Sequence, residues 1–204
     1  MRTAQSAGRG APATASASGD GPRGRAHDVP ARALGGRAHT GDVTAARDAR
    51  PPRRSGDGFV TAADGGVRWG RYGAAGVLFR HVDPEGVPWL FLARRSPFCH
   101  RGGTWGVPGG ALDDGEAPLD GALREFTEEV GSLPPSFTVA GVHQDDHGGW
   151  SYWTIVVDVD EPFPLPTSLN WETDEVRWVP VGELPTIQLF DAFEATLGRL
   201  GITT

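Results

Sequence analysis

The sequence predicts an α/β fold, a sandwich of helices and a mixed sheet, on three observations. Short apolar runs separated by Gly, Pro and Asp begin at Phe59, two amphipathic helical stretches are set among them, and the N-terminal quarter shows neither pattern. Strands are expected at Gly73 to Arg80, Trp89 to Arg94, Phe137 to His143, Tyr152 to Val159 and Glu175 to Val179. Asp83-Pro84-Glu85-Gly86 has the composition of a turn between the first two. Helices are expected over Ala117 to Val130 and from about Gln188 to Leu200. In the second, Leu189, Phe193, Leu197 and Leu200 recur at spacings of four, four and three, a core-facing stripe.

A chain of 204 residues holds one ordinary domain and a tail, and the composition divides it near residue 57. Residues 1–57 carry ten Arg and five Asp, whereas residues 58–204 carry nine Arg against twenty-one Asp and Glu, a net charge of −12. In the first part Val29, Leu34 and Val43 stand alone among Ala, Gly, Ser, Pro and Arg, too few to repay the entropy of folding. The expectation is a disordered basic tail, or a start codon assigned too far upstream, ahead of a domain spanning 58–204. The five Asp and many Gly argue against an amphipathic transit peptide.

The acidic body lacks the basic face with which a protein binds a nucleic-acid polymer, and it suits a protein that recruits cations. All nineteen basic residues are Arg, a mark of GC-rich coding that weakens any inference from Arg abundance. One cysteine, Cys99, excludes an intrachain disulfide, and nothing calls for an oxidising compartment, so the expected location is cytoplasmic. With no run of 18 apolar residues and no secretory signal, no membrane partner is expected. The oligomeric state is left open.

The chemistry concentrates in residues 109–131, GGALDDGEAPLDGALREFTEEVG. Pro118 suits the first turn of a helix and Gly131 the left-handed position that closes one. At about 100° per residue, Leu119, Leu123, Phe126 and Val130 share one side, while Glu125, Glu128 and Glu129 gather roughly 130° away. Clustered carboxylates raise one another's pKa and resist ionisation unless a cation compensates them. A hard divalent ion such as Mg²⁺ takes oxygen ligands and keeps sites for water and substrate phosphate. Arg124, four residues before Glu128, can orient that carboxylate, and Gly109 and Gly110 let the backbone approach the same place.

The spacing Gly110, five residues, Glu116, seven residues, Arg124-Glu125-Phe126, one residue, Glu128-Glu129, one residue, Gly131 resembles the signature of the Nudix hydrolases. Seven specified residues would arise by chance in about one in 10⁶ sequences of this length. The resemblance spans residues 70–200 and implies a Nudix-type α/β/α sandwich, in which the box forms a loop-helix-loop catalytic segment against a mixed sheet. It implies Mg²⁺, with Mn²⁺ as an alternative, held by Glu125, Glu128, Glu129 and the Gly109 carbonyl. Arg124 and Glu116 match the pair that braces the loop on the helix. An acidic residue before the last strand often adds a ligand; Glu172 fits first and Glu175 second. The sequence departs from the family at Phe126, where an aliphatic residue is usual, and at Ser132, where Leu133 is expected to take over the packing.

The reaction so implied is attack of water on one phosphorus of a nucleoside diphosphate derivative, with Glu125, Glu128 or a loop residue such as Asp145 or His147 as base. Leu92-Ala93-Arg94-Arg95-Ser96, followed by Trp105-Gly106-Val107-Pro108-Gly109-Gly110, resembles the MutT-like branch, which hydrolyses nucleoside triphosphates. Arg94 or Arg95 would then meet phosphate, and Trp105, Trp150 or Tyr152 could stack on a base. Alternatives are a pyrophosphatase of ADP-ribose or another nucleotide sugar, and a non-catalytic Nudix-fold nucleotide sensor, although sensors commonly lose the box glutamates kept here. A related isomerase of isopentenyl diphosphate uses a cysteine, but Pro97-Phe98-Cys99-His100 does not resemble its motif.

Overall fold

A computed structural model describes residues 53–202. Its elements are β1 (Phe59–Thr61), β2 (Val67–Trp69), β3 (Ala74–Val82), β4 (Pro88–Arg95), β5 (Trp105–Gly106), β6 (Gly109–Ala111), α1 (Pro118–Glu129), β7 (Thr138–Asp146), β8 (Ser151–Asp158), β9 (Thr173–Pro180), a 3₁₀ turn at Val181–Thr186 and α2 (Asp191–Arg199). β1 and β2 form a separate antiparallel hairpin. The other seven strands make one mixed sheet centred on β3.

β3 runs parallel to β8 from Ala74 to Arg80 along one side. On its other side it pairs antiparallel with β6 over Ala74–Gly76 and with β4 over Arg80–Val82. β4 also carries β9 and β5, and β7 closes the far edge against β8. Successive β3 residues face opposite sides, as the pleat requires. Val77 and Phe79 join Phe91, Ile155, Val157 and the α1 residues Ala122 and Phe126 in one core. Leu78 joins Leu90, Leu92, Trp105, Val156 and the α2 residues Phe193 and Leu197 in the other. The result is the α/β/α sandwich expected from the sequence.

The five expected strands are present, with β7 running on to Asp146 and β9 starting at Thr173. The remaining four have two or three residues each, too few to show an alternation. The second helix starts at Asp191, three residues later than expected. Gln188–Phe190 instead brackets Trp105, whose N–H donates to the Gln188 carbonyl and whose carbonyl accepts from the Phe190 N–H, both at 2.8 Å. Leu189 keeps its place against the α2-side core from this extended backbone. Residues 1–52, and with them nearly all of the expected tail, lie outside the described residues. Of its last five, Arg54 accepts from the Asp114 N–H at 3.0 Å through its carbonyl, and the Gly56 N–H donates to Asp113 Oδ1 at 3.1 Å.

Phe126 accounts for its own departure from the family pattern. Its ring is fully buried and meets Phe79 edge-on at 5.0 Å, with Phe91 at 5.7 Å and Phe163 at 5.9 Å. An aromatic at this position completes an aromatic cluster beneath the catalytic helix. Leu133 packs against the same core, while Ser132 is exposed. Phe126→Ala is expected to destabilise the domain by about 3–5 kcal/mol, and Phe126→Leu by clearly less. Urea unfolding measures both, and an alanine loss below about 1 kcal/mol would contradict this packing.

Candidate active site

The carboxylate-bearing helix is stopped at Gly131, which has φ 127°, and the N–H groups of Val130 and Gly131 both turn back to the Phe126 carbonyl, at 2.8 and 3.1 Å. Ahead of the helix, the loop from Ala111 to Glu116 is held on it by one guanidinium. Arg124 Nε and Nη2 donate to Glu116 Oε1 and Oε2 at 3.1 and 2.9 Å, and Nη2 also donates to the Ala111 carbonyl at 2.8 Å. The Glu116 side chain is 3% exposed and also accepts the Asp113 N–H at 3.0 Å. Burial opposes its ionisation, but the Arg124 and Asp113 hydrogen bonds outweigh it and hold its carboxyl below the usual range. The hydrogen bonds to Glu116 raise Arg124 in turn.

Nη1 of Arg124 faces the catalytic side, donating to Glu125 Oε1 at 2.8 Å and to Glu128 Oε1 at 3.4 Å. Glu125 lies directly on the backbone of Gly110, where any Cβ would collide with its carboxylate. Glu129 is 8% exposed, and its Oε2 accepts the Gly109 N–H at 3.3 Å. Gly109 is held by β6 so close to β3 that a Cβ there would strike Ala75 and Gly76. Close approach of backbone to backbone therefore requires glycine at 109, while a side chain at 110 would displace the Glu125 carboxylate. Burial first, and then the neighbouring carboxylates including Glu172, push Glu129 up to about 8. Glu125 is pushed up to about 7 by burial against the partial relief that Arg124 gives, with Glu128 and Glu172 adding to the rise.

Glu129 meets Gly109, Arg124 ties Glu125 to Glu128, and Glu172 acts electrostatically on Glu125 and Glu129, so hard oxygen donors share one neighbourhood and two of them resist ionisation where they stand. That donor set fits a divalent cation. Among the described residues no three His, Cys, Asp or Glu side chains converge into a ready cage. Mg²⁺ does not demand one, since it binds through one or two carboxylates with water and phosphate completing its octahedron.

The two candidate phosphate ligands separate. Arg94 is engaged by Asp174 at 2.6 Å and Glu175 at 2.9 Å, an arrangement that also occupies Glu175. Arg95 donates from Nε to the His100 carbonyl at 3.0 Å and lies close enough to Glu129 and Tyr152 to favour their charged forms. Trp105 is 4% exposed in the α2-side core, with the Arg177 guanidinium 4.2 Å over its ring, so it offers no open face. Trp150 is 8% exposed and donates to the Gly70 carbonyl at 2.8 Å. Burial pushes the Tyr152 phenol up, and its hydroxyl lies against Gly76. His147 Nδ1 is 3.0 Å from Asp64 and 2.8 Å from Arg68, and Asp145 accepts from Arg199 at 2.8 Å, which ties both to the hairpin and α2. A cleft of about 430 Å³ beyond the end of α1 is lined by Val130, Ser132, Pro135, Phe163 and Pro166 among others, none of them titratable.

Sequence reasoning missed the Ala111 carbonyl and the Asp113 N–H, because backbone groups leave no signal in residue identity. It also passed over Phe98 and Trp171, which are 89% and 69% exposed.

A NUDIX domain model matches residues 71–198. The chain is 41% identical over 154 residues to a Mycobacterium tuberculosis protein provisionally named 8-oxo-dGTP diphosphatase 3, covering 72% of this chain and 70% of that one. It is 35% identical over 179 residues to a nucleoside triphosphate pyrophosphatase/Nudix hydrolase fusion protein of Bifidobacterium longum, covering 86% of this chain and 36% of the fusion. A crystal structure of a Nudix hydrolase from M. smegmatis superposes with a TM-score of 0.62 at 38% identity, over 71% of this chain and 92% of that one. The braced carboxylate helix on a mixed sheet is that of a Nudix fold. The chain belongs to the Nudix hydrolase family.

The raised carboxyls give a pH dependence of stability. In metal-free protein, Glu125 and Glu129 keep protons that the unfolded chain releases near its ordinary value of 4.5. Their contribution is therefore present below that value and lost as pH rises through about 7 and about 8. In EDTA, the melting temperature should fall between pH 5 and pH 8.5, and the fall should be smaller in Glu129→Gln. A variant with the same slope as wild type would contradict this assignment.

Proposed function

We propose that this enzyme is a metal-dependent pyrophosphohydrolase of the MutT type, with a nucleoside triphosphate, oxidised nucleotides such as 8-oxo-dGTP included, as its substrate. The observation that supports the metal-dependent part is the Arg124 guanidinium, which ties Glu125 and Glu128 to the Glu116 brace, with Glu129 one turn on and bonded to the Gly109 N–H. The names of its relatives, an 8-oxo-dGTP diphosphatase and a nucleoside triphosphate pyrophosphatase fusion, support the choice of substrate class.

Gly109 and the four glutamates would hold Mg²⁺, or Mn²⁺ in its place. Bound there, the ion would neutralise charge on phosphoryl oxygens and lower the pKa of a water molecule. The protein supplies the positions. Arg124 sets the direction of Glu125 and Glu128, Gly110 admits the Glu125 carboxylate against the backbone, and Arg95, bonded through Nε to the His100 carbonyl, is the cation we assign to phosphate. Glu125 or Glu128 would accept the proton of the attacking water, a reading supported by the other partners that Asp145 and His147 hold. No helix among the described residues is long and apolar enough to cross a membrane.

Nucleoside triphosphates, 8-oxo-dGTP, ADP-ribose, dinucleoside polyphosphates and coenzyme A, each assayed with Mg²⁺ and with Mn²⁺, test the substrate. Release of pyrophosphate from a nucleoside triphosphate, abolished by EDTA, is expected; inactivity on every compound would favour a nucleotide sensor. Glu128→Gln is expected to lower kcat by roughly 10²–10⁴-fold, and turnover within a few-fold of wild type would defeat the proposed site.

A further inference from the structure

Of the aromatic residues that the sequence offered for base stacking, the two tryptophans are withdrawn from solvent and Tyr152 is half-buried. Trp105 and Trp150 are 4% and 8% exposed, and the Tyr152 hydroxyl is packed on Gly76. Two other rings show the opposite condition. Phe98 is 89% exposed and Trp171 is 69% exposed, and among the described residues neither packs against another aromatic ring. Leaving such apolar area in water is unfavourable and marks a contact surface when the residues stand together at a site.

The loops that carry them meet, and at this site. Phe98 lies in the loop after β4 and Trp171 in the loop before β9, and the two loops are tied at one carbonyl. The Glu172 carbonyl accepts the Ser96 N–H at 2.7 Å, and the Cys99 thiol approaches it at 3.7 Å. Each ring is therefore one residue away from that junction. Both loops are also shaped internally. The Ser96 hydroxyl accepts the Phe98 N–H at 3.4 Å, and Asn170 Oδ1 accepts the N–H groups of Glu172 and Thr173 at 3.0 and 3.1 Å. Asn170, next to Trp171, donates its N–H to the Glu129 carbonyl at 3.3 Å, which holds this loop against the end of α1, and Arg95 at the end of β4 leads into the other loop. The two loops border the carboxylate cluster.

We propose that Phe98 and Trp171 form the nucleobase-stacking platform of this enzyme, engaging the planar ring of the substrate while its phosphates reach the carboxylates. This deepens the proposed function and rests on it. Stacking on a π face is worth about 1–3 kcal/mol per base and does not by itself select among bases. A platform of two rings therefore gives a general preference for nucleotides over base-free phosphates, and discrimination between bases must come from polar groups elsewhere.

The test compares KM and kcat for dGTP, dATP and dCTP with those for 2-deoxyribose 5-triphosphate, which lacks a base, in Phe98→Ala, Trp171→Ala and the double variant. The expected result is a KM for the three nucleotides raised roughly 5- to 100-fold with kcat changed much less, so that the wild-type advantage of a base over no base collapses. Phe98→Tyr and Trp171→Phe should restore most of that advantage. Binding of a non-hydrolysable dGTP analogue, followed by calorimetry, should weaken in parallel. Alanine variants that keep the full advantage, or aromatic replacements that fail to restore it, would overturn the platform. A wild type that hydrolyses none of the four compounds would instead count against the proposed function itself.

Discussion

Arg124 is the one cation in a helix that carries four acidic residues, and the site depends on how its N–H donors are divided. Two go inward to the buried Glu116, one of them shared with the Ala111 carbonyl, while Nη1 is left for Glu125 and Glu128. The inward bonds fix the loop that carries Gly109 and Gly110 toward the helix. The outward ones offset part of the repulsion among the carboxylates. A lysine here would bring the charge but not the planar fork, and could not brace Glu116 bidentately while facing the other two.

The backbone at Gly109 and Gly110 is the second half of the same device. β6 pairs with the first three residues of β3, so the loop begins from the centre of the sheet rather than from its edge. That leaves no depth for side chains: one glycine is pressed on Ala75 and Gly76, the other on Glu125. Beneath the helix, Phe126 fastens the opposite face to Phe79, Phe91 and Phe163. Rigidity on the aromatic side is what allows Glu129 to be held 8% exposed beside other carboxylates, a position that burial and like charge both oppose.

Much of this was legible in the sequence because it is written in spacing. The stripe Leu119, Leu123, Phe126 and Val130 predicted the buried face of α1, and the interval from Gly110 to Gly131 predicted the family. What spacing could not show was tertiary. Leu189 continues the helical interval of Phe193 and Leu197, yet its backbone is taken by the bridge to Trp105. The adjacent Arg94 and Arg95 are equivalent as letters, but the pleat sends them different ways, one to Asp174 and Glu175 and the other toward the Glu129 neighbourhood. Tryptophan is equally at home in a core or at a binding surface, and only packing tells Trp105 from Trp171.

The charge balance completes the physical case for a cation in the mechanism. Residues 58–204 carry a net charge of −12, and the site within them gathers Glu125, Glu128, Glu129 and Glu172. A triphosphate approaching such a surface is repelled by it, and of the nearby guanidiniums Arg124 is bonded to carboxylates and Arg94 to its own acidic pair. Arg95 alone does not balance a polyanion. On the proposed reading, bound divalent ions would change the sign of the local field, so the acidic cluster that would exclude a triphosphate would become the means of binding it. The proposed function and platform together would draw affinity from the phosphate end through metal and from the base end through stacking, with little contribution from direct protein cations.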